Sequence, residues 1–473
     1  MRSYDNIYID GKWIPPAGNE KWKLINPATE EPFATVALGG VEDVNRAVAA
    51  ARAAFPSFSA TSKTERIALL ERIIEQFYLR EDELSAAVTE ELGTPVSQKI
   101  HTTAALASFK QAVSTLRRYE FETRLDGNIV RREPIGVCAL ITAWNWPVQL
   151  IATKLAYALA AGCTTILKPS EFTPVTALLL AEILHDAGVP KGVFNLVNGN
   201  GPIVGNALSK HMDVDLVSFT GSTRAGVLVA EAAAPSVKRV CQELGGKSAN
   251  IILDDADLRA AAQWNVGRAF SNSGQSCHAP TRVLVHERQL DELLELLQEE
   301  AHKVRVGDPL DPSSTMGPVV NAAQFDRNQM YIELGISEGA RVIAGGLGRP
   351  EGLDRGYFVR PTIFANVEPT MRIAQEEIFG PVLAVISYAN EEEALQIANS
   401  TAYGLGGYVF STSRERGRAV GAQIRAGRVF LNGVPSNPAA PMGGYKRSGN
   451  GREMGVFGLE EYLEVKAMIG FED

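Results

Sequence analysis

The fold is decided by residues 137–186, which read VCALITAWNWPVQLIATKLAYALAAGCTTILKPSEFTPVTALLLAEILHD. Residues 137–141 and 163–167 are short apolar runs that predict buried strands, and residues 148–161 predict a helix between them. Thr173-Pro174 begins a second helix that runs to His185. A strand, a helix and another strand within about 30 residues are typical of a parallel sheet with helices on its faces.

The same alternation continues on both sides of this stretch. Alternating residues around Asp10-Gly11 predict an N-terminal hairpin. Apolar runs predict further strands at 193–197 and 214–219 and, after Gly245-Gly246, at 249–253, 282–285, 382–386, 408–410 and 428–431. We therefore expect an α/β protein with two doubly wound α/β domains that join near residue 246.

Composition and charge exclude several classes of protein. The chain has 473 residues, of which 45% are apolar and 21% charged, as in an average soluble globular protein. Its net charge of −9 argues against binding to nucleic acid or to an anionic membrane. Residues 134–153 carry no charge, but Asn145, Pro147 and Gln149 argue against a membrane span, and the first ten residues do not resemble a signal peptide.

The four cysteines are far apart, at Cys138, Cys163, Cys241 and Cys277, and none forms a C-x-x-C pair. This usage indicates a reducing compartment, for which we take the cytoplasm. The six histidines form no cluster with cysteine, so no metal site is expected.

Two kinds of segment could hold a nucleotide. The glycine-containing turns at 199–205 and 221–226 follow predicted strands and could present helix N–H groups to a pyrophosphate, or they could be ordinary tight turns. Lys168 and Glu171 follow the carboxyl end of a strand, where open α/β sheets bind ligands. They could hold ribose hydroxyls or form a surface ion pair.

Cys277 is the cysteine suited to chemistry. It lies in the small, polar stretch 272–278, whereas Cys138 and Cys163 lie in apolar strands. A thiolate in such a loop can be reached by a substrate and stabilised by backbone N–H groups, although an ordinary loop cysteine is the alternative. His278 adjoins Cys277, but adjacency in sequence does not by itself make a Cys–His pair.

These residues belong to a series of motifs that resembles the aldehyde dehydrogenase superfamily. The resemblance covers residues 26–462, and its motifs in chain order are Trp144-Asn-Trp-Pro147, Lys168-Pro-Ser-Glu171, Phe219-Thr-Gly-Ser-Thr223, Glu243-Leu-Gly-Gly-Lys247, Gly274-Gln-Ser-Cys277, Glu376-Glu-Ile-Phe-Gly-Pro381 and Pro441-Met-Gly-Gly-Tyr-Lys446. The chain departs from common members at Met442, where phenylalanine is frequent, and at Ser276 and His278, which flank the cysteine.

The resemblance implies a role for each matching residue. Cys277 is the expected nucleophile, Glu243 the general base, and Asn145 the donor to the oxyanion. The expected cofactor-binding residues are Thr142, Trp144, Lys168, Ser170, Glu171, Gly201, Gly205, Phe219, Gly221, Ser222, Leu244, Gly245, Glu377 and Phe379. The expected substrate-binding residues are Trp146, Gln149, Leu150, Thr153, Ser276, His278 and Met442.

The implied reaction is oxidation of an aldehyde to a carboxylic acid with NAD(P)+ through a thiohemiacetal and an acyl thioester. Glu243 favours hydrolysis, and Glu171 favours NAD, because a carboxylate repels the 2′-phosphate of NADP; NADP remains possible. The alternatives are a semialdehyde-specific or coenzyme A-acylating relative, and a catalytically silent protein with the same fold.

The resemblance also implies an assembly. We expect a cofactor domain at 1–115 and 135–245, a catalytic domain at 246–447, and a small β element for oligomerisation at 116–134 and 448–473. Related proteins are homodimers or homotetramers, and the expected partner besides a second subunit is a small aldehyde.

Overall fold

The computed structural model of the protein describes residues 1–471. The strands in chain order are β1 Arg2–Tyr4, β2 Ile7–Ile9, β3 Lys12–Ile14, β4 Lys21–Asn26, β5 Glu31–Ala37, β6 Glu122–Leu125, β7 Asn128–Pro134, β8 Val137–Ile141, β9 Thr164–Lys168, β10 Phe194–Leu196, β11 Leu216–Thr220, β12 Arg239–Glu243, β13 Ala249–Ile252, β14 Arg282–His286, β15 Arg341–Ala344, β16 Thr362–Ala365, β17 Val382–Tyr388, β18 Gly406–Phe410, β19 Arg428–Leu431, β20 Gly449–Asn450 and β21 Leu463–Met468. The α-helices are α1 Val41–Ser59, α2 Lys63–Leu79, α3 Glu81–Leu92, α4 Ile100–Arg118, α5 Pro147–Ala161, α6 Pro174–Asp186, α7 Asn206–Lys210, α8 Thr223–Ala233, α9 Leu258–Phe270, α10 Leu290–His302, α11 Ala322–Ser337, α12 Arg372–Gln375, α13 Glu391–Asn399, α14 Arg414–Gly421 and α15 Gly455–Glu460.

The first large sheet contains eight strands in the order β20-β12-β11-β8-β9-β10-β2-β3. Its five central strands, β12 to β10, are parallel. At one edge β20 is antiparallel to β12, and at the other β2 is antiparallel to β10 and β3 is antiparallel to β2. Strands β8, β9 and β11 are buried along their whole length. Their apolar runs are continuous because helices cover both faces of a parallel sheet.

The second large sheet contains seven strands in the order β15-β16-β17-β14-β13-β18-β19. All neighbours are parallel except β15, which runs antiparallel to β16 at one edge. Two buried clusters of apolar side chains, one with Leu284 and Phe364 and one with Val283 and Phe410, form the core around this sheet. The fold is therefore the expected one, with two doubly wound α/β units.

Two smaller sheets complete the structure. Strands β1, β5 and β4 form one of them, and β21, β7 and β6 form an antiparallel sheet with β21 at its edge. The latter draws on both segments expected to form the oligomerisation element. The division into domains stays a prediction, and the end of its last segment, 472–473, lies outside the described residues.

Local sequence explains how the elements near the site begin and end. Helix α5 begins at Pro147, whose fixed φ and missing N–H suit the first turn, and it ends at Gly162 with φ 94°. Helix α2 begins with a capping box, in which the side chains of Ser62 and Glu65 each accept the other's backbone N–H.

Strand β12 has no counterpart in the sequence-based prediction, although it carries Glu243. Three of its five residues, Arg239, Gln242 and Glu243, are polar, so it lacks the apolar run that identifies a buried strand. Its pairing with β11 and β20 places Gln242 and Glu243 in the interior.

Within residues 1–471, no helix is long and apolar enough to cross a membrane. The same range contains no group of three His, Cys, Asp or Glu side chains placed to bind a metal ion.

Candidate active site

A cavity of ≈ 1190 Å³ is bordered by residues from the ends of several strands of both large sheets. The predicted site residues that line it are Trp144, Asn145, Trp146, Gln149, Leu150, Thr153, Gly221, Ser222, Leu244, Gly245, Cys277, His278, Glu377, Phe379 and Met442. The predicted residues that do not line it are Thr142, Lys168, Ser170, Glu171, Gly201, Gly205, Phe219, Glu243 and Ser276. The cavity thus joins the expected nucleophile to most of the expected substrate residues and part of the cofactor set.

The loop before Cys277 has a tightly constrained backbone. Asn272 and Ser273 have φ of 53° and 55°, and Gly274 follows with φ 72°. A Cβ on Gly274 would lie 2.2 Å from the carbonyl oxygen of Gly380, so this position requires glycine. Oε1 of Gln275 accepts the N–H of Val320 at 2.9 Å, and this bond anchors the loop.

Asn145 lies between β8 and α5 and is almost completely buried. Its Nδ2 donates to the carbonyl oxygen of Gln275 at 3.1 Å, two residues before Cys277. Its own carbonyl oxygen accepts from Nδ2 of Asn272 at 2.7 Å. These two bonds fix the amide beside the nucleophile loop and leave its second N–H for a ligand.

Glu243 ends β12 and is 4% exposed. Neither of its carboxylate oxygens has a hydrogen-bond partner within residues 1–471. Burial raises the pKa of Glu243 well above its ordinary value, and the nearby carboxylate of Glu453 adds to the effect. Lys154 opposes it, and the Nζ of this buried lysine lies 2.6 Å from Oε1 of Glu453.

Cys277 is partly buried and has its sulfur 3.8 Å from Nδ1 of His278. Burial raises the pKa of the thiol, and the carboxylates of Glu243 and Glu377 raise it further. The two expected catalytic groups are therefore close enough to affect each other electrostatically. The structure also brings together the Cys–His pair that adjacency alone left undecided.

The expected adenosine-ribose residues follow β9. Nζ of Lys168 lies 3.1 Å from Oε2 of Glu171, and the lysine is buried, which lowers its pKa. The backbone N–H of Thr142, which follows β8, donates to the carbonyl oxygen of Lys168. Oγ of Ser170 accepts the N–H of Phe172 and shapes the turn. The ion pair of Lys168 and Glu171 is therefore not a surface ion pair, which was the alternative that the sequence left open.

Of the two glycine-containing turns, only the second borders the cavity. Ser222 caps α8 by accepting the N–H of Ala225, and Gly221 before it packs so tightly on Phe219 that a Cβ would lie 2.5 Å from the ring. A helix N-terminus at a cavity wall favours an anionic ligand. At Gly201 and Gly205 a Cβ would contact nothing within 4 Å, so no close packing within the chain requires glycine there.

The segment with Glu377 and Phe379 is held by helix α11, which the sequence did not connect to the site. Nε2 of Gln324 donates to the carbonyl oxygens of Ile378 and Phe379, and Arg327 donates to those of Glu377 and Ile378. These four bonds support Phe379 at φ 66°, an unusual conformation for a residue other than glycine.

The side chain of Glu377 points toward the segment that follows β12, the strand that carries Glu243. Its Oε1 accepts the N–H of Gly246 at 2.9 Å, and burial raises its pKa to about 7. A Cβ on Gly245 would lie 2.4 Å from Oε2, so this glycine makes room for the carboxylate. Phe379 meets Trp144 edge-on, with ring centroids 5.3 Å apart.

The expected substrate residues surround Cys277 on the other side. Nε1 of Trp146 donates to Oγ of Ser276 at 2.9 Å, and its ring packs against His101 at a 34° tilt with centroids 4.4 Å apart. The sequence missed five basic residues that also line the cavity, namely Lys99, Arg224, Arg268, Arg327 and Arg428. All five lie outside the seven motifs of the sequence analysis.

The residues present fit a dinucleotide. The cavity combines a capped helix N-terminus at Ser222, a partly buried carboxylate at Glu377 and the aromatic pair of Trp144 and Phe379. Lys168 and Glu171 lie beyond it at the carboxyl end of β9. Thr142 adds a buried hydroxyl without a partner within residues 1–471. Such orphaned polar atoms are expected where a ligand supplies the missing bonds.

Comparison with known proteins agrees with this geometry. Residues 13–468 match the model of the aldehyde dehydrogenase family. A 3-succinoylsemialdehyde-pyridine dehydrogenase from a Pseudomonas species is 54% identical over 475 residues, covering 100% of both chains.

Solved structures give the same result. A mutant of aldehyde dehydrogenase C from Pseudomonas syringae, in complex with NAD+ and octanal, is 52% identical and superposes with a TM-score of 0.98, covering 99% of this chain and 97% of that one. An aldehyde dehydrogenase from Mycobacterium tuberculosis, in complex with NAD+, is 40% identical with a TM-score of 0.97, covering 100% and 99%.

Proposed function

The chain belongs to the aldehyde dehydrogenase family, and from that premise we propose that it oxidises an aldehyde to the carboxylic acid with NAD+ by way of a thioester on Cys277. One observation carries the proposal: Cys277 and Asn145 line one cavity, and Glu243 lies near enough to raise the pKa of the thiol. A nucleophile, an oxyanion donor and a base are the three groups that this chemistry needs.

The first step forms a bond between sulfur and the aldehyde carbon. The thiolate of Cys277 adds to the carbonyl, whose oxygen becomes negative in the thiohemiacetal. The free N–H of Asn145 and the backbone N–H of Cys277 stabilise that oxygen. Bound NAD+ would supply the hydride acceptor for the same carbon. Loss of that hydride leaves an acyl thioester on Cys277.

The second step is hydrolysis, for which Glu243 is the proposed base. A carboxylate with an ordinary pKa is a weak base at neutral pH, and burial moves the pKa of Glu243 toward the useful range. Its two unpartnered oxygens leave room to accept a proton from water. Adding coenzyme A distinguishes this route from an acylating enzyme, which would release an acyl-CoA.

Lys168 and Glu171 support NAD as the preferred cofactor. Together they offer a donor and an acceptor for a ribose diol, and the carboxylate of Glu171 would repel a 2′-phosphate. Ser222 and α8 are placed to face the pyrophosphate, with Leu244 and Gly245 beside them in the cavity wall.

The proposed substrate is a medium-sized, partly apolar aldehyde. The wall around Cys277 mixes aromatic, apolar and polar side chains, namely Trp146, Gln149, Leu150, Thr153, His278 and Met442. Arg428 donates to the carbonyl oxygens of Ala440 and Pro441. Because its guanidinium is engaged in these bonds within the chain, we do not assign it to a substrate carboxylate. The relatives' octanal and pyridine semialdehyde fit this description.

The proposed assembly is a homodimer or homotetramer through the β21 sheet. Strand β21 is an edge strand, and Val465, Ile469 and Phe471 on or next to it are exposed. A second subunit would cover this edge and these side chains. Sedimentation that shows only monomer would contradict the assembly. We place the protein in a reducing compartment such as the cytoplasm, since Cys277 must stay a free thiol.

The experiment is NADH formation with a panel of aldehydes graded by chain length and terminal charge. Cys277→Ala should abolish turnover while NAD+ binding persists. The matched control is Cys241→Ala, which removes a buried thiol that bonds to Glu461 and should leave turnover intact. Turnover that persists in Cys277→Ala would refute the mechanism, and NAD+ binding without turnover by the unmodified protein would favour a silent relative.

A further inference from the structure

The imidazole of His278 connects Cys277 to a partly buried arginine. Nδ1 of His278 lies 3.8 Å from Sγ of Cys277. On the opposite side of the ring, Nε2 forms a hydrogen bond with the guanidinium of Arg268. The three residues therefore form a row that ends at the sulfur proposed as the nucleophile.

The chemistry of arginine decides which nitrogen of the ring carries the proton. A guanidinium has donors only and stays protonated in proteins, so Nε2 of His278 must accept from Arg268. Burial and the charges of Arg268 and Arg428 hold the pKa of His278 well below its ordinary value, so the ring is neutral. A neutral imidazole has one N–H, which is then the one on Nδ1.

We propose that His278 donates this Nδ1–H to the sulfur of Cys277, and that Arg268 acts as a positioning residue that holds the histidine in the required tautomer. The proposal rests on the proposed role of Cys277 as nucleophile. It gives His278, which the resemblance implied only as a substrate-binding residue, a role at the reacting sulfur, and it adds Arg268 as the residue that orients its ring.

The surroundings hold the row in place. Arg268 lies in the last turn of α9, and it has no carboxylate within ion-pair distance among residues 1–471. Tyr408 on β18 donates its hydroxyl hydrogen to the carbonyl oxygen of His278 at 2.7 Å. The backbone of His278 is thus fixed by one strand and its ring by one helix.

The N–H donated by Nδ1 of His278 favours the thiolate of Cys277, whereas the surrounding carboxylates favour the neutral thiol. Glu243, Glu377 and Glu453 raise the pKa of Cys277, and Arg428, a cation that lines the same cavity, interacts electrostatically with Cys277. A donated N–H stabilises the thiolate directly at the sulfur. A tenfold larger thiolate fraction gives roughly a threefold faster reaction, because nucleophilicity falls with the thiol pKa at a Brønsted slope of about 0.4–0.5.

The test is the rate of iodoacetamide alkylation at Cys277 as a function of pH, in the full-length protein without aldehyde. His278→Leu and Arg268→Met should move the midpoint of the profile up by about one pH unit and slow alkylation at neutral pH roughly threefold. Arg268→Lys should retain the wild-type profile, because lysine also donates to Nε2. Cys277→Ala supplies the background from the three buried thiols.

Two control variants separate this role from a structural one. Arg259→Met removes an exposed arginine of the same helix, and His302→Leu removes an exposed histidine of α10; both should keep the wild-type profile. NAD+ binding and the unfolding temperature report whether each variant is folded.

The outcomes are distinct. A wild-type midpoint in a folded His278→Leu protein would overturn the donor role. Equal profiles for Arg268→Met and Arg268→Lys would overturn the positioning role. Since alkylation needs no turnover, failure here is separable from failure of the proposed function, which Cys277→Ala tests through NADH formation.

Discussion

Replacing Gly246 with alanine would push the loop that carries Cys277 away from the segment that follows β12 and Glu243. A Cβ on Gly246 would lie 2.2 Å from the carbonyl oxygen of Cys277, whereas ordinary contacts begin at 3.4 Å. The two must therefore separate by about 1.2 Å. The opposing atom belongs to the backbone, so no side-chain rotation can relieve the overlap.

A displacement of this size acts on the reacting atom. Misplacing a catalytic group by about 1 Å can cost roughly 10²-fold in rate, because productive attack requires close alignment of the two atoms. We expect the first-turnover rate of NADH formation to fall by about 10²-fold in Gly246→Ala. NAD+ affinity should change less, although the N–H of Gly246 also holds Glu377.

The assay is rapid mixing of enzyme and NAD+ with octanal, followed by the NADH signal of the first turnover. The matched control is Gly267→Ala on α9, where a Cβ would contact nothing within 4 Å. That variant should keep the wild-type rate and gain up to about 1 kcal/mol of stability, since alanine favours a helix interior over glycine. A folded Gly246→Ala protein with a wild-type first turnover would refute the geometric reasoning.

Four further predictions concern single residues. Glu243→Gln should keep the first-turnover burst of NADH but slow steady-state turnover by about 10²–10⁴-fold, since general base catalysis serves hydrolysis; loss of the burst would contradict this role. Asn145→Ala should slow the burst itself by about 10²–10³-fold, as expected for loss of an oxyanion donor. Gln324→Leu should raise the KM for NAD+ roughly tenfold with a smaller effect on kcat, because two bonds to the Phe379 segment are lost; an unchanged KM would count against α11 as its support. Glu91 accepts N–H groups at the start of α6, and burial raises its pKa to about 8, so its ionisation opposes folding: the protein should lose stability relative to Glu91→Gln as pH rises from about 4.5 to about 8, and parallel stability–pH curves would refute this.

The sequence predicts the fold wherever burial leaves a continuous apolar run. Strands β8 and β9 and helix α5 are within one residue of their predicted bounds because their side chains pack on both sides. Strand β12 is not predicted because two of its interior residues, Gln242 and Glu243, are polar and interrupt the apolar run.

The candidate site likewise has residues that the sequence predicts and contacts that it does not. Its motif residues could be named in advance, because short segments place Asn145 and Cys277 on particular loops. The support from Gln324 to Phe379 spans more than fifty residues and depends on how α11 packs, which no local pattern shows. The backbone of His278 is held by Tyr408 and its ring by Arg268, which come from different elements.

The pairing of β20 with β12 has a consequence for biosynthesis. Glu243 pairs with Gly449, and the N–H of Leu244 donates to the carbonyl oxygen of Ser448, so the base-bearing strand is completed by a segment about 200 residues later in the chain. A ribosome makes Glu243, Asn145 and Cys277 long before it makes that segment. The nascent chain therefore carries all three proposed catalytic groups before β20 can pair with β12 beside Glu243.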